Sequence, residues 1–228
     1  MPTIVYAYTN DGYVARFNQS SWTNARANSS GTHASSTTTN HWTGISAYSG
    51  ASRGGGTVYT IVRSFMSFDT SGISSNVDSA TLQIYGYNQG GGDVIALKAT
   101  SGIATIGTAD FEEITGWDSS GTDGSGGGDM ESSVTKYSNE ITTWSTTGYN
   151  NITLNAQALA DMRDDNTVYI ALVNFDYDLK DVEPTGYSSH RNGLYYQNYT
   201  GTSRDPKLVY TLALPTTTDN AVFFGTNF

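Results

Sequence analysis

Apolar and polar residues alternate along this chain over short runs, and clusters of Gly, Asn, Ser and Asp separate the runs. A period of two marks β-strands with a buried face. The longest run, residues 57–68, offers two alternating sets. Val58, Thr60, Val62, Ser64, Met66 and Phe68 form one; Tyr59, Ile61, Arg63, Phe65 and Ser67 form the other. Both sets contain apolar side chains, which predicts a central strand covered on both faces. Residues 79–88 follow, with Ala80, Leu82 and Ile84 inward and Tyr85 and Tyr87 on the opposite face. Beyond Gly90-Gly91-Gly92 the chain resumes as a strand at 94–99, so these two runs are expected to pair as a hairpin. Other strands are predicted at 3–8, 12–17, 151–154, 167–174, 193–197 and 207–214, with a Ser/Thr-rich loop over 28–40. Helical spacing occurs once, at 155–163, where Asn155 can cap and Ala158, Leu159 and Met162 line one side.

This pattern predicts an all-β fold: a jelly-roll-like antiparallel β-sandwich with one short helix. Residues 1–214 form the sandwich domain and 215–228 a C-terminal tail. Composition agrees. Ser and Thr far outnumber the 11 basic and 21 acidic residues, and with 25 Gly and 16 Tyr they suit strands and turns better than helices. At 228 residues, one sandwich can bury an adequate core.

Charge then narrows function. The net charge of −10, with scattered basic residues, argues against a nucleic-acid partner, which needs clustered Lys and Arg. Without cysteine, thiol catalysis and Cys-ligated metals are excluded. No apolar stretch approaches a membrane span, so no membrane insertion is expected. The start, Met1-Pro2-Thr3-Ile4-Val5-Tyr6, has neither a basic nor an apolar leader region, so the expectation is a protein made without a signal peptide.

Candidate chemistry is sparse. His33, His41 and His190 show no metal-binding spacing, and no GxSxG elbow or phosphate-binding glycine motif occurs. Glu112-Glu113 and the group Asp176, Asp178, Asp181, Glu183 could serve a glycoside hydrolase or bind Ca2+, although solvated loop charge is the simplest reading. Trp22 and Trp42 lie near strand ends, where flat rings can stack on sugar faces, and are the candidate glycan-binding residues. Residues 117–133, rich in Gly and Asp, read as a long flexible loop. In the tail, Phe223, Phe224 and Phe228 follow a polar stretch and are the candidate assembly contact.

Several segments, in order from residue 4 to about 213, together carry a resemblance. They include Asp11-Gly12-Tyr13-Val14, Ser21-Trp22-Thr23-Asn24-Ala25-Arg26, and Arg63-Ser64-Phe65-Met66-Ser67-Phe68-Asp69-Thr70-Ser71 with Val77-Asp78-Ser79-Ala80-Thr81-Leu82 after it. Later come Tyr149-Asn150-Asn151-Ile152-Thr153-Leu154-Asn155, Asp181-Val182-Glu183-Pro184-Thr185 and Gly201-Thr202-Ser203-Arg204-Asp205-Pro206-Lys207-Leu208-Val209. The chain resembles the DNRLRE-type domains, a β-sandwich group related to a family of carbohydrate-binding modules and frequent in bacterial surface and phage structural proteins. The resemblance implies a jelly roll, in some relatives with structural calcium, and no catalytic residues to carry over. Asp11 and Asp205, near the first and last strands, are the candidate calcium ligands.

The expectation is therefore a non-enzymatic virion structural protein at the particle surface: a capsid decoration, head-fibre or tail-associated subunit. Its partners would be other virion proteins, copies of itself or surface glycans. A glycan-binding module of a surface or secreted protein is the alternative, and a carboxylate-dependent hydrolase ranks last.

Overall fold

In the computed structural model, residues 1–50, 55–118 and 128–214 are described. They form an all-β, antiparallel sandwich of eleven strands. These are β1 (Thr3–Tyr6), β2 (Gly12–Gln19), β3 (His33–Ser35), β4 (Asn40–Ser49), β5 (Thr57–Asp69) and β6 (Val77–Gln89), then β7 (Val94–Lys98), β8 (Tyr149–Thr153), β9 (Thr167–Asn174), β10 (Ser188–Tyr195) and β11 (Lys207–Leu212). Two short helices accompany them, α1 (Trp22–Arg26) and α2 (Ala156–Asp164).

One sheet contains β1, β11, β6 and β8; the other contains β3, β2, β5, β4 and β10, with β9 and β7 branching from β5. The far end of β6 leaves the first sheet and pairs with β10, joining the two. β5 changes partner midway: residues up to Val62 pair with β4 and those from Ser64 with β9. Thr43 sits at this fork, fully buried, its hydroxyl directed at the carbonyls of both Val62 (3.2 Å) and Leu172 (2.9 Å). Two backbones that diverge are thus tied by one side chain.

The part of the second sheet formed by β5, β7 and β9 is buried on both faces, which explains its unbroken apolar runs. Alternate residues of β5, β7 and β9 enter two separate cores. Met66, Phe68, Ala96, Ile170 and Leu172 face the first sheet and meet Leu82, Ile84, Ile152 and Leu208 there. Ile61, Phe65, Leu97, Ala171 and Val173 face the other way, where α1 and the segments around Phe111, Trp117 and Val134 cover them. Two-sided cover of 57–68, read from its pattern, is observed. Phe65 and Phe68 nonetheless belong to different cores, and β5 and β6 are not paired with each other.

Three further expectations need correction. β7 pairs with β9 and not with β6, so no hairpin forms across Gly90–Gly92. Those glycines serve close approach: a Cβ on Gly90 or Gly92 would come within 2.7 Å or 2.6 Å of the β10 backbone. The stretch 28–40 is not all loop, since β3 lies within it and β4 begins at Asn40. The ends of the Gly-rich 117–133 stretch are packed, with Trp117 and Met130 in the core; residues 119–127 lie outside the described part. Helix α2 is as expected, capped by Asn155, whose side chain accepts from Ala158 N at 3.1 Å, with Ala158 and Met162 buried.

Candidate functional site

Strand β4 pairs with β10 from Ala47↔Ser188 to Asn40↔Tyr195. Its alternation sends Ile45 and Ala47 into the core and leaves Trp42, Ser46 and Tyr48 on the opposite face. Gly44 lies between, at φ +126°, where a Cβ would come within 2.3 Å of the His190 carbonyl. Only glycine suits that backbone and that approach. Opposite it, Arg191 extends its guanidinium over the Trp42 ring, 4.7 Å from the centroid.

The result is a groove of about 510 Å3. Its walls are Phe17, Trp42, Tyr48 and Tyr187, and Tyr187 is 67 % exposed. Hydroxyls of Ser46, Thr60, Ser188 and Ser189 and the Arg191 cation complete the lining. Ser188 Oγ is buried and makes no hydrogen bond among the described residues. Rings, hydroxyls and one cation form an amphipathic surface that suits a ligand with both C–H faces and hydroxyl edges. Behind the groove, the His41 ring stacks on Tyr13 (3.9 Å between centroids) and approaches Trp42 (5.4 Å). Burial pushes the His41 imidazole below its ordinary pKa, and the nearby Arg191 charge adds to this, against a hydrogen bond to the Trp42 carbonyl.

Trp42 thus belongs to an open aromatic site, but Trp22 does not. Trp22 is 6 % exposed, packs edge-on against Tyr59 and donates its Nε1–H to Asp181 Oδ1 at 2.8 Å. Its ring faces are inside the core, so a glycan-stacking role for Trp22 is overturned by burial. Phe223, Phe224 and Phe228 lie outside the described residues. Asp11 and Asp205 are both buried, and Asp11 is pushed up to about 7 by burial, with the Asp205 charge adding to it and the Gln197 N–H opposing it.

The carboxylates between β9 and β10 separate into different structural duties. Asp178 is buried and receives Arg63 at 2.9 and 2.8 Å; Asp181 receives Trp22; Glu183 accepts from the Tyr59 hydroxyl. Asp176 joins Asp93 and Glu140 in a group whose oxygens all lie within 4.8 Å of one another. Burial raises Asp176 and Glu140, their carboxylate neighbours add to it, and Lys180 opposes it. A second aromatic cluster holds Arg204 among Tyr85, Tyr195 and Tyr199, with ring centroids 4.6–5.2 Å from its guanidinium carbon, and ties residues 199–204 to the outer face of β6 and β10.

The groove residues Phe17, Tyr187, Ser188 and Arg191 carried no local signal, because they meet only through the β4–β10, β4–β5 and β2–β5 pairings. The usable hint was Trp42, Ser46 and Tyr48 at even spacing, alternating with Ile45 and Ala47. Among the described residues no helix is long and apolar enough to cross a membrane. No family model matches the chain, and no curated protein is significantly similar to it.

Proposed function

We propose that this chain is a non-catalytic structural subunit of a virion surface, a capsid decoration, head-fibre or tail-associated protein, that attaches to surface glycans through the Trp42 groove. One observation carries the glycan reading: four aromatic rings, four hydroxyl-bearing side chains and a guanidinium line one groove. Sugar rings present apolar C–H patches to aromatics and hydroxyls to polar groups, so the lining matches that class of ligand. The virion reading is supported by the sandwich fold and by the ordered sequence segments that resemble phage structural domains. An assembly contact is further favoured by the edge strand β1, whose Ile4 and Tyr6 are exposed.

Affinity-gel retardation and a glycan array test the groove. The protein is expected to bind at least one surface polysaccharide, and Trp42→Ala to weaken binding at least about tenfold, roughly 1.4 kcal/mol. Tyr6→Ala, on the edge strand β1 of the first sheet, should leave binding unchanged. Failure of the unaltered protein to bind any glycan would sink the glycan reading. For assembly, light scattering on the full chain and on a chain lacking residues 215–228 should show loss of self-association or particle binding in the shorter one; equal behaviour removes the tail from the account.

A further inference from the structure

Strand β8 pairs with β6 on one side and, among the described residues, with no strand on the other. Leu154 N–H donates to the Ala80 carbonyl and Gly86 N–H to the Gly148 carbonyl, which fixes the alternation along the pair. Even-numbered residues of β8 therefore bond to β6, and the N–H and C=O groups of Asn151 and Thr153 point away from it. Those groups have no hydrogen-bond partner among the described residues.

The facing wall belongs to the second sheet. Ile141 exchanges both backbone hydrogen bonds with Val94 of β7, at 3.1 and 2.8 Å, so the segment around it follows β7 and parts from β8. Asn155 closes one end of the seam, its N–H donating to the Tyr137 carbonyl at 2.8 Å. Asn150 ties the other end, its Oδ1 accepting the Ser145 N–H at 2.6 Å. Between these ties two adjoining hollows of about 390 and 430 Å3 follow the free edge of β8, and Ile141, Thr143 and Asn151 line both. Ile152 and Leu154 add an apolar floor, and Glu140 is the one charged residue in the described lining. An unpaired edge over an apolar floor is a template for one more strand.

We propose that this seam receives residues 221–228 of a neighbouring copy as a strand added to β8. The proposal rests on the reading of the C-terminal tail as an assembly contact, and names the surface that takes it. Residues 221–228 carry no charged side chain, and Val222, Phe223 and Phe224 are of strand-forming, apolar types that suit the floor. Reach decides between a copy's own seam and its neighbour's. Ala213 N–H donates to the Asn76 carbonyl and Thr153 stands opposite Thr81, so the seam begins roughly 22 Å away by strand rise and spacing. The steps from Ala213 to Ala221 cover at most about 27 Å and must also turn back, because β11 runs away from Thr153. Helix α2 blocks the short way round. It spans the corner from Asn155 to Arg163, which donates to Asn76 Oδ1 at 2.8 Å. A neighbour's seam has no such restraint.

The chain contains no cysteine, so introduced thiols report this contact alone. Full-length Thr153→Cys and Thr226→Cys variants are mixed and treated with a short bismaleimide. The cross-linked heterodimer should be at least about tenfold more abundant than from Thr23→Cys with Thr226→Cys, because docking raises the effective concentration of the thiols. Thr23 is exposed on α1, which covers the other core. On the unaltered chain, hydrogen exchange at the Asn151 and Thr153 amides should slow as protein concentration rises. Equal yields from the two mixtures overturn the proposal. So does a cross-link that forms within single Thr153→Cys/Thr226→Cys chains on dilution. If removing residues 215–228 abolishes self-association while the yields stay equal, the tail reading stands and the seam is the wrong receiver.

Discussion

Arg63 is the odd member of an apolar strand face, and its surroundings explain it. The guanidinium meets Asp178 through two hydrogen bonds, donates to the Phe111 carbonyl at 2.7 Å, and lies between the rings of Phe111 (3.9 Å) and Trp117 (4.0 Å). Arg26 approaches the same carboxylate at 3.8 Å and donates to the Asp178 carbonyl at 2.5 Å. Such a network holds β5, α1 and the segment after β9 in one arrangement, because each charge is tolerable only while its partners stay in place. Replacing Arg63 by Met should therefore cost about 3–5 kcal/mol in urea denaturation, more than the lost contacts alone, since Asp178 stays buried with less compensation. An Arg63→Met/Asp178→Asn double variant should lose less than the sum of the two single losses. Additive losses would mean the pair is not coupled.

At the scale of elements, β2 and β4 carry the ring stack that supports the groove. His41 lies between Tyr13 of β2 and its own neighbour Trp42, so its charge state bears on the position of the indole. Its folded pKa is depressed below 6.5, while in the unfolded chain it titrates near its ordinary value of about 6.5. As pH falls through 6.5 the unfolded chain takes up the proton first, so stability declines from there down to the folded pKa and then levels. Asp11, raised to about 7, acts in the opposite direction over the same range, so the comparison is with His41→Phe. Between pH 8 and 5 the unaltered chain should lose stability relative to that variant as pH falls below 6.5. A slope unchanged in the variant would assign the decline to another group. The same strand shows why β4 was hard to read from sequence. Its polar residues line a surface groove, and Gly44, a residue depleted in strands, is required by its φ and by the closeness of β10. At 155–163, by contrast, cap and apolar stripe are local features, and the helix follows from them directly.

Across the whole molecule, both cores share the second sheet, and β1 closes the chain ends against β11. The all-β class, the two-sided burial of β5 and the positions of most strands were legible in the sequence. Side-chain alternation and turn residues act over a few neighbours, so the chain's order records them. Asp69 illustrates this at the end of β5, where its carboxylate accepts from the N–H (3.0 Å) and hydroxyl (2.6 Å) of Ser71. Which strands pair was not legible, because pairing depends on contacts between residues tens to hundreds of positions apart. Tertiary structure alone sent β7 to β9 instead of β6, drew Trp22 inside while leaving Trp42 at an open groove, and placed Arg191 over that ring. The nearness of Asp11 to Asp205 was anticipated from their places beside the first and last strands, but their burial and the missing partner of one oxygen on each came only with the packed interior. Local pattern set what each segment is; the competition among segments for the two faces of one sheet decided what each side chain meets.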